Sequence, residues 1–344
     1  MNYLCKASVQ KVPEYFRCRF ANTSSRYTII HENLSYQRGL LRISGLDVKN
    51  FLQGLITNDI FHLKTMHSSM FTLFLNKQGR VLYDAIIYKN RDENAYLIEC
   101  DRTIEKQLKQ HLLLFRIRKQ VNIDIVSNEM NIWACFEKHQ NLNEIPKLLE
   151  ANEYKKLSDE VIVCLDPRVN QMGLRLITPK SFNLKDFQKV NDEAISDISD
   201  INYNYKVHRY VFGICEGIRE IPPSRIFPFE VNCDYLHGIS FHKGCYLGQE
   251  FTARTYHTGT IRKRIMPIIL DSSDDEYLKI QYDESIRNEK NQIIGKIKGV
   301  QSNYAIGLLR IDVALSASYL KIQNINVNTY RPAWWPNTKK QIKF

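Results

Sequence analysis

The chain has 344 residues, of which 44% are apolar and 25% charged, and a formal net charge of +11. The length suits two or three domains rather than one core, and the composition is that of a water-soluble globular protein. No stretch approaches the ~20 apolar residues of a membrane-spanning helix, and the one compact basic run, Arg262-Lys263-Arg264, has the alternation of a strand, so neither membrane insertion nor nucleic-acid binding is expected.

Residues 1–26 carry five basic residues against the single acid Glu14, with Ser8, Thr23, Ser24 and Ser25 interspersed and no apolar secretory core. That pattern suits a mitochondrial transit peptide, with a disordered basic tail as the plainer reading. Gly39–Ser44 alternates as a strand. From Leu46 to Ile56 the period becomes helical, with Ser44 and Asp47 spaced as a capping box. Ser69–Asn76 and Arg80–Lys89 read as a hairpin around Lys77-Gln78-Gly79. Ala95–Cys100 is another strand, followed by a helix over Thr103–Phe115 with Asp101 as its cap and Ile104, Leu108, Leu112 and Phe115 inward. Val121–Val126 returns as a strand.

The pattern restarts with strands at Ile132–Phe136, Val161–Leu165 and Met172–Ile177, and with helices near Leu142–Ala151 and Leu184–Val190. Such runs imply α+β layers of the ferredoxin-like kind. Tyr203–Phe212 reads as a helix stopped by Gly213. Beyond Arg262 the helical period ends. Arg264–Leu270, Leu278–Ile280, Ile293–Lys298, Tyr304–Arg310 and Leu320–Val327 read as short strands of a small barrel.

Eight cysteines are present, none in a C-x-x-C pair and none with zinc or ferredoxin spacing. Cys100, Cys135, Cys164 and Cys215 lie in apolar segments and read as core. Cys245 differs, standing in Lys243-Gly244-Cys245-Tyr246-Leu247-Gly248-Gln249-Glu250 with His242 before it. Neighbouring positive charge and a helix start at Gln249 would favour a thiolate there; the alternative is a small residue filling a tight turn. The polar, glycine-rich flanks favour the reactive thiol. His242 is too close in sequence to act as the base of a cysteine hydrolase.

This octapeptide closely resembles the signature of the YgfZ/Caf17 family, folate-binding relatives of the glycine-cleavage T-protein that act in iron–sulfur protein maturation. Further similarity lies in Phe51-Leu52-Gln53-Gly54-Leu55-Ile56-Thr57-Asn58-Asp59, in the hairpin Leu75–Asp84, in Gly213-Ile214-Cys215-Glu216-Gly217, in Pro228-Phe229-Glu230-Val231-Asn232 and in Ala333-Trp334-Trp335-Pro336. The pieces occur in the family's order from about Gly39 onward.

The resemblance implies a T-protein-like α+β fold around a central channel. It has two interleaved lobes over 27–262, roughly 27–126 and 127–262, then a barrel over 263–336 and a tail at 337–344. It also implies a mitochondrial matrix factor that helps build [4Fe–4S] clusters with A-type scaffold proteins. Cys245 then contacts a transient iron–sulfur cluster shared with the partner, and the channel holds tetrahydrofolate.

For the folate, the resemblance points to Glu216 and Glu230 at the amino-pyrimidine edge, with Asn232, Lys243, Tyr246 and Gln249 around it. Arg254 and Arg262 would meet the glutamate tail. Both glutamates can equally be surface carboxylates paired with Arg219 or Arg225. Where the T-protein relatives carry two adjacent carboxylates, this chain has Tyr83-Asp84, leaving Asp84 as a lone base or a solvated strand residue. A tetrahydrofolate-dependent one-carbon transferase is the alternative function.

Overall fold

The computed structural model describes residues 29–64, 68–138, 161–182, 203–271 and 275–336. The expected transit peptide, the helices near 142–151 and 184–190 and the tail at 337–344 lie outside the described residues.

Period-2 patterning builds two antiparallel sheets. The first has the order β3-β4-β5-β2-β6, from β2 (Arg38–Ser44), β3 (Ser69–Leu75), β4 (Val81–Lys89), β5 (Ala95–Asp101) and β6 (Asn122–Ile125). Side chains alternate faces along each strand. Leu41, Ile87 and Ile98 pack under α1 (Val48–Gln53) and α2 (Glu105–Arg116), which contribute Phe51, Leu52, Leu108 and Leu112. Their neighbours Leu40, Ile86 and Leu97 face the second sheet. That sheet, ordered β1-β7-β9-β8, comprises β1 (Ile29–Asn33), β7 (Met130–Glu137), β8 (Ile162–Leu165) and β9 (Leu174–Pro179). Its Ile132, Ala134, Phe136 and Ile177 complete the inter-sheet core. β1 falls in the expected first lobe yet pairs with β7, so the chain crosses between the two layers at its first described strand.

The cap at Asp101 forms as expected, accepting from Thr103 N at 2.8 Å. The capping box does not. Asp47 makes no side-chain cap to α1, because its carboxylate reaches across to accept from Gln120 N at 2.7 Å.

The chain then forms α3 (Tyr205–Val211), capped by Asn204 Oδ1, which accepts from Val207 N. A long run of turns follows, and α4 (Gln249–Thr258) leads into a closed barrel ordered β10-β13-β12-β11-β14-β15. Its strands are β10 (Lys263–Asp271), β11 (Ser285–Asn288), β12 (Ile293–Gln301), β13 (Tyr304–Arg310), β14 (Leu320–Ile322) and β15 (Ile325–Thr329), with the short helix α5 (Ile311–Ser316) between β13 and β14. Two expectations change here. Leu278–Ile280 is not a strand, since Asp275–Lys279 forms a 3-10 turn. Leu320–Val327 is two strands, folded back at Gln323, whose φ is 53°.

The barrel is fastened to the α+β body at several points. Ile265 N donates to Glu230 O at 2.8 Å, and Arg264 forms a bidentate pair with Asp234 at 2.7 and 2.8 Å. After β15, Tyr330 Oη donates to Val211 O and Trp334 Nε1 to Phe212 O, both at the end of α3.

Candidate functional site

Two places in the molecule concentrate the residues singled out by the sequence. One is the layer between the two sheets. There Glu216 Oε2 accepts from Arg168 Nη1 at 2.7 Å, Arg175 Nη2 at 3.2 Å and Tyr205 Oη at 2.8 Å. Its Oε1 lies 3.7 Å from Arg38 Nε and 3.8 Å from Arg209 Nε. Burial alone would push this carboxyl up, but Arg38, Arg168, Arg209 and Arg175 outweigh burial and hold it well below the usual range. Arg38 also binds Glu99 at 2.8 Å, Arg168 and Arg175 bind Asp166, and Arg209 binds Glu220 at 2.8 Å. All of these side chains are buried.

Asp84 belongs to this layer and is not a solvated strand residue. It accepts from Gly217 N at 2.9 Å and lies 3.3 Å from Arg38 Nη1. Burial pushes its pKa up, with Arg38 opposing. Tyr83, next to it on β4, points to the opposite face and packs edge-on against His111. The phenol and the carboxylate therefore cannot serve one site.

The other place is the cysteine loop on the surface. Lys243 Nζ donates to Gln53 O at 2.8 Å, Ile56 O at 2.7 Å and Asn58 O at 2.7 Å. All three ammonium protons are thus used by carbonyls at and just beyond the end of α1, a favourable place for a cation. Burial lowers the Lys243 pKa to about 8, with Asp59 opposing. Four residues on, Leu247 N donates to Gly54 O at 3.0 Å. Cys245 sits between these two anchors, and it is exposed. Tyr246 N donates to Gln249 Oε1 at 3.0 Å, which closes the start of α4. Gly248 holds φ at 79°, and a Cβ there would lie 2.3 Å from Asn76 O in the β3–β4 turn. Only glycine fits that left-handed, crowded position. Gly244 has open space around it instead.

Cys245 opens onto a cleft of about 560 Å³ whose walls include Gly54, Leu55, Lys77, Phe115, Tyr246 and Glu250. The sequence reading missed Leu55, Lys77 and Phe115 as neighbours of the thiol; Phe115 belongs to the apolar run at the end of α2, and no short-range signal links it to Cys245. The other described cysteines, Cys100, Cys135, Cys164, Cys215 and Cys233, are buried. Burial pushes their thiols up, Cys164 to about 12.

The residues associated with tetrahydrofolate do not meet in one place. Glu216 is enclosed by arginines, not by Arg219 or Arg225. Glu230 Oε2 accepts from Phe227 N at 2.9 Å. Asn232 is wholly buried and donates to Ile265 O at 2.9 Å. Lys243 and Gln249 hold the cysteine loop, and Arg254 and Arg262 are exposed. The amino-pyrimidine edge of a pterin presents N–H donors and needs a free carboxylate. The inter-sheet layer offers guanidinium nitrogens instead, and those of Arg38, Arg175 and Arg209 that make no hydrogen bond mostly lie at ion-pair distance from Asp84, Glu99 and Glu216. Glu230, half-buried and bonded through one oxygen to Phe227 N, is the carboxylate of this set not enclosed by arginines, and the chemistry of Cys245 requires no folate.

Residues 262–337 match the profile described as the CAF17 C-terminal beta-barrel domain, which coincides with the closed barrel. Over 317 residues, covering 88% of this chain and 85% of the relative, the sequence is 32% identical to the Homo sapiens protein named "Iron-sulfur cluster assembly factor IBA57, mitochondrial". The chain belongs to the IBA57 family. An Aspergillus oryzae IBA57 homolog is 37% identical over 258 residues, covering 70% of this chain and 57% of that relative. The fold is shared more widely. The glycine cleavage system aminomethyltransferase T of Bartonella henselae superposes with a TM-score of 0.66 over 90% of this chain and 87% of the other, at 12% identity. This last likeness concerns the fold alone.

Proposed function

We propose that this chain works in the mitochondrial matrix as an iron–sulfur cluster assembly factor supporting the maturation of [4Fe–4S] proteins. In this reading Cys245 is the working group. The observation that carries it is geometric: Cys245 is the one exposed thiol among the described residues, held over an open cleft by anchors two residues to either side. The names of the IBA57 relatives, which specify iron–sulfur cluster assembly and mitochondria, support the same reading.

A cubane or rhombic cluster is held by about four ligands, usually thiolates. One surface thiol supplies one of them. The cluster is therefore cargo shared with a partner, an A-type scaffold, which brings the remaining ligands. Cys245 loses its proton to solvent and forms one Fe–S bond as another ligand leaves the iron; no electron is transferred in that step. A soft thiolate is the ligand that iron–sulfur clusters select, and among the described residues no second thiol lines the cleft.

The test is anaerobic mixing of the full chain with a cluster-loaded A-type scaffold, followed by visible circular dichroism. Wild type is expected to perturb the cluster spectrum and Cys245→Ala to leave it unchanged. An identical spectral response from both proteins refutes the thiolate role. A coupled glycine-cleavage assay addresses the one-carbon alternative, and no release of methylene-tetrahydrofolate is expected, because Asp84 is closed off by Arg38 and Gly217.

A further inference from the structure

The cleft of Cys245 has a continuation that the cluster chemistry does not use. Phe115, on its wall, lies in the last turn of α2, where the chain leaves the helix through Ile117. Ile117 has φ 45° and ψ −108°, close to the first central position of a type II′ turn, a place normally taken by glycine. A β-branched residue there is strained. Its side chain gains nothing from the fold in return, being 83% exposed. Leu114 is 73% exposed. Leu46, 75% exposed, borders the same segment, because Asp47 N and Oδ2 both bond to Gln120. Strain that presents an apolar side chain to water at a site's edge points to a role outside the folded chain.

The charge around these residues is mainly positive, with Asp47, bonded to Gln120 N, and Glu250, on the cleft wall, as the acids nearby. Between 105 and 120 the single acid is Glu105, and it is engaged by Arg102 and Ser127. Arg118 and Lys119 are exposed beside Ile117, and Lys77 is exposed on the cleft wall. A second copy of this chain meeting the patch across a two-fold axis would bring like charges together. The chain's own first 26 residues, five bases to one acid, are repelled as well.

The geometry points to this end of α2, with Leu46, Leu114 and Ile117, as the docking surface for an acidic protein that carries the cluster to Cys245. The inference rests on the proposed cluster role of the thiol. A stable interface covers ~800 Å² per partner, a disc of about 16 Å radius. A partner that places a cluster on Cys245 must cover the rim of that cleft, and Phe115 puts the α2 terminus on the rim. Apolar anchors within a charged ring are the usual anatomy of such contacts.

Calorimetry of the full chain against a [2Fe–2S]-loaded A-type scaffold protein tests it. Leu114→Asp with Ile117→Asp should weaken binding at least about ten-fold. Ile117→Gly keeps the interpretation independent of folding, since it relieves the strain. It should melt at or above wild type and still bind several-fold more weakly. Arg118→Glu with Lys119→Glu should weaken binding and flatten its salt dependence. Wild-type affinity in the first two variants overturns the docking surface. So does a shift in this chain's own oligomeric state, by sedimentation, with scaffold affinity unchanged. Cys245→Ser separates the two claims. It should bind the scaffold nearly as wild type while leaving the cluster spectrum unperturbed; a wild-type cluster response from it refutes the thiol's role, even where the patch variants lose binding.

Discussion

The inter-sheet layer and the cysteine loop treat their functional-looking side chains in opposite ways. In the layer, four arginines and five carboxylates are buried together and engaged with one another. In the loop, Lys243 and Gln249 hold the backbone in place and leave one thiol exposed. Buried ion pairs add little net stability against apolar packing, but breaking one is costly. The layer therefore fixes how the two sheets meet, and the loop keeps the free valence. A carboxylate with a displaced pKa is weak evidence of chemistry when its partners are all structural.

Variants can break this contrast directly. Glu216→Ala should cost ~3–5 kcal/mol, because four guanidiniums lose a shared counter-charge. Denaturant melts that match wild type would mean the layer is not structural. The same group gives a pH signature. Its folded pKa lies below the unfolded value, so its stabilisation is present above about pH 4.5 and is lost as pH falls toward the folded pKa. Glu216→Gln should therefore flatten the acid limb of a stability–pH curve, measured by urea midpoints.

Gly248→Ala sharpens the other side. The forced φ of 79° and the 2.3 Å approach to Asn76 O should cost ~1–3 kcal/mol and raise the rate at which Cys245 reacts with a disulfide reagent. For Lys243, a folded pKa near 8 against an ordinary 10.5 means the unfolded chain binds more protons between those values, so this group's contribution rises with pH across that window. Lys243→Met should remove that rise, seen by comparing melts at pH 8 and pH 10. The smallest effects belong to the exposed positions. Cys245→Ala, Arg254→Ala and Arg262→Ala should each stay within about 0.5 kcal/mol of wild type, with cluster transfer lost only in the first.

Much of the fold was legible because periodicity is local. Leu40 and Leu41, or Ile86 and Ile87, separate onto two faces as alternation requires, and Leu108 and Leu112 bury as the helical period requires. Errors arose where a few residues carried the signal. β11, with Ile286 as its only large apolar residue, was missed, as was β1, and Gln323 turned one expected strand into two. Within the site, Cys245 stood out through its polar, glycine-bounded setting. Glu216 did not betray its role, since its partners Arg38, Arg168, Arg175 and Arg209 are scattered over more than 170 residues. Arg175, set in Leu174-Arg175-Leu176-Ile177, was the available clue, because a charge inside an apolar strand calls for a buried counter-ion.

The bonds from Tyr330 and Trp334 to the end of α3 have a mechanical consequence. The barrel's last strand closes at Thr329, so a chain stopped there would retain every strand and lose both of these latches. Such a truncation should leave a folded barrel still held by Ile265 and Arg264 but loosened at the end of α3, detectable as microsecond–millisecond exchange broadening in Val211 and Phe212. In the intact protein the barrel is tied to the body at both ends of its chain, at Arg264 and Ile265 before the first strand has run its course and at Tyr330 and Trp334 after the last.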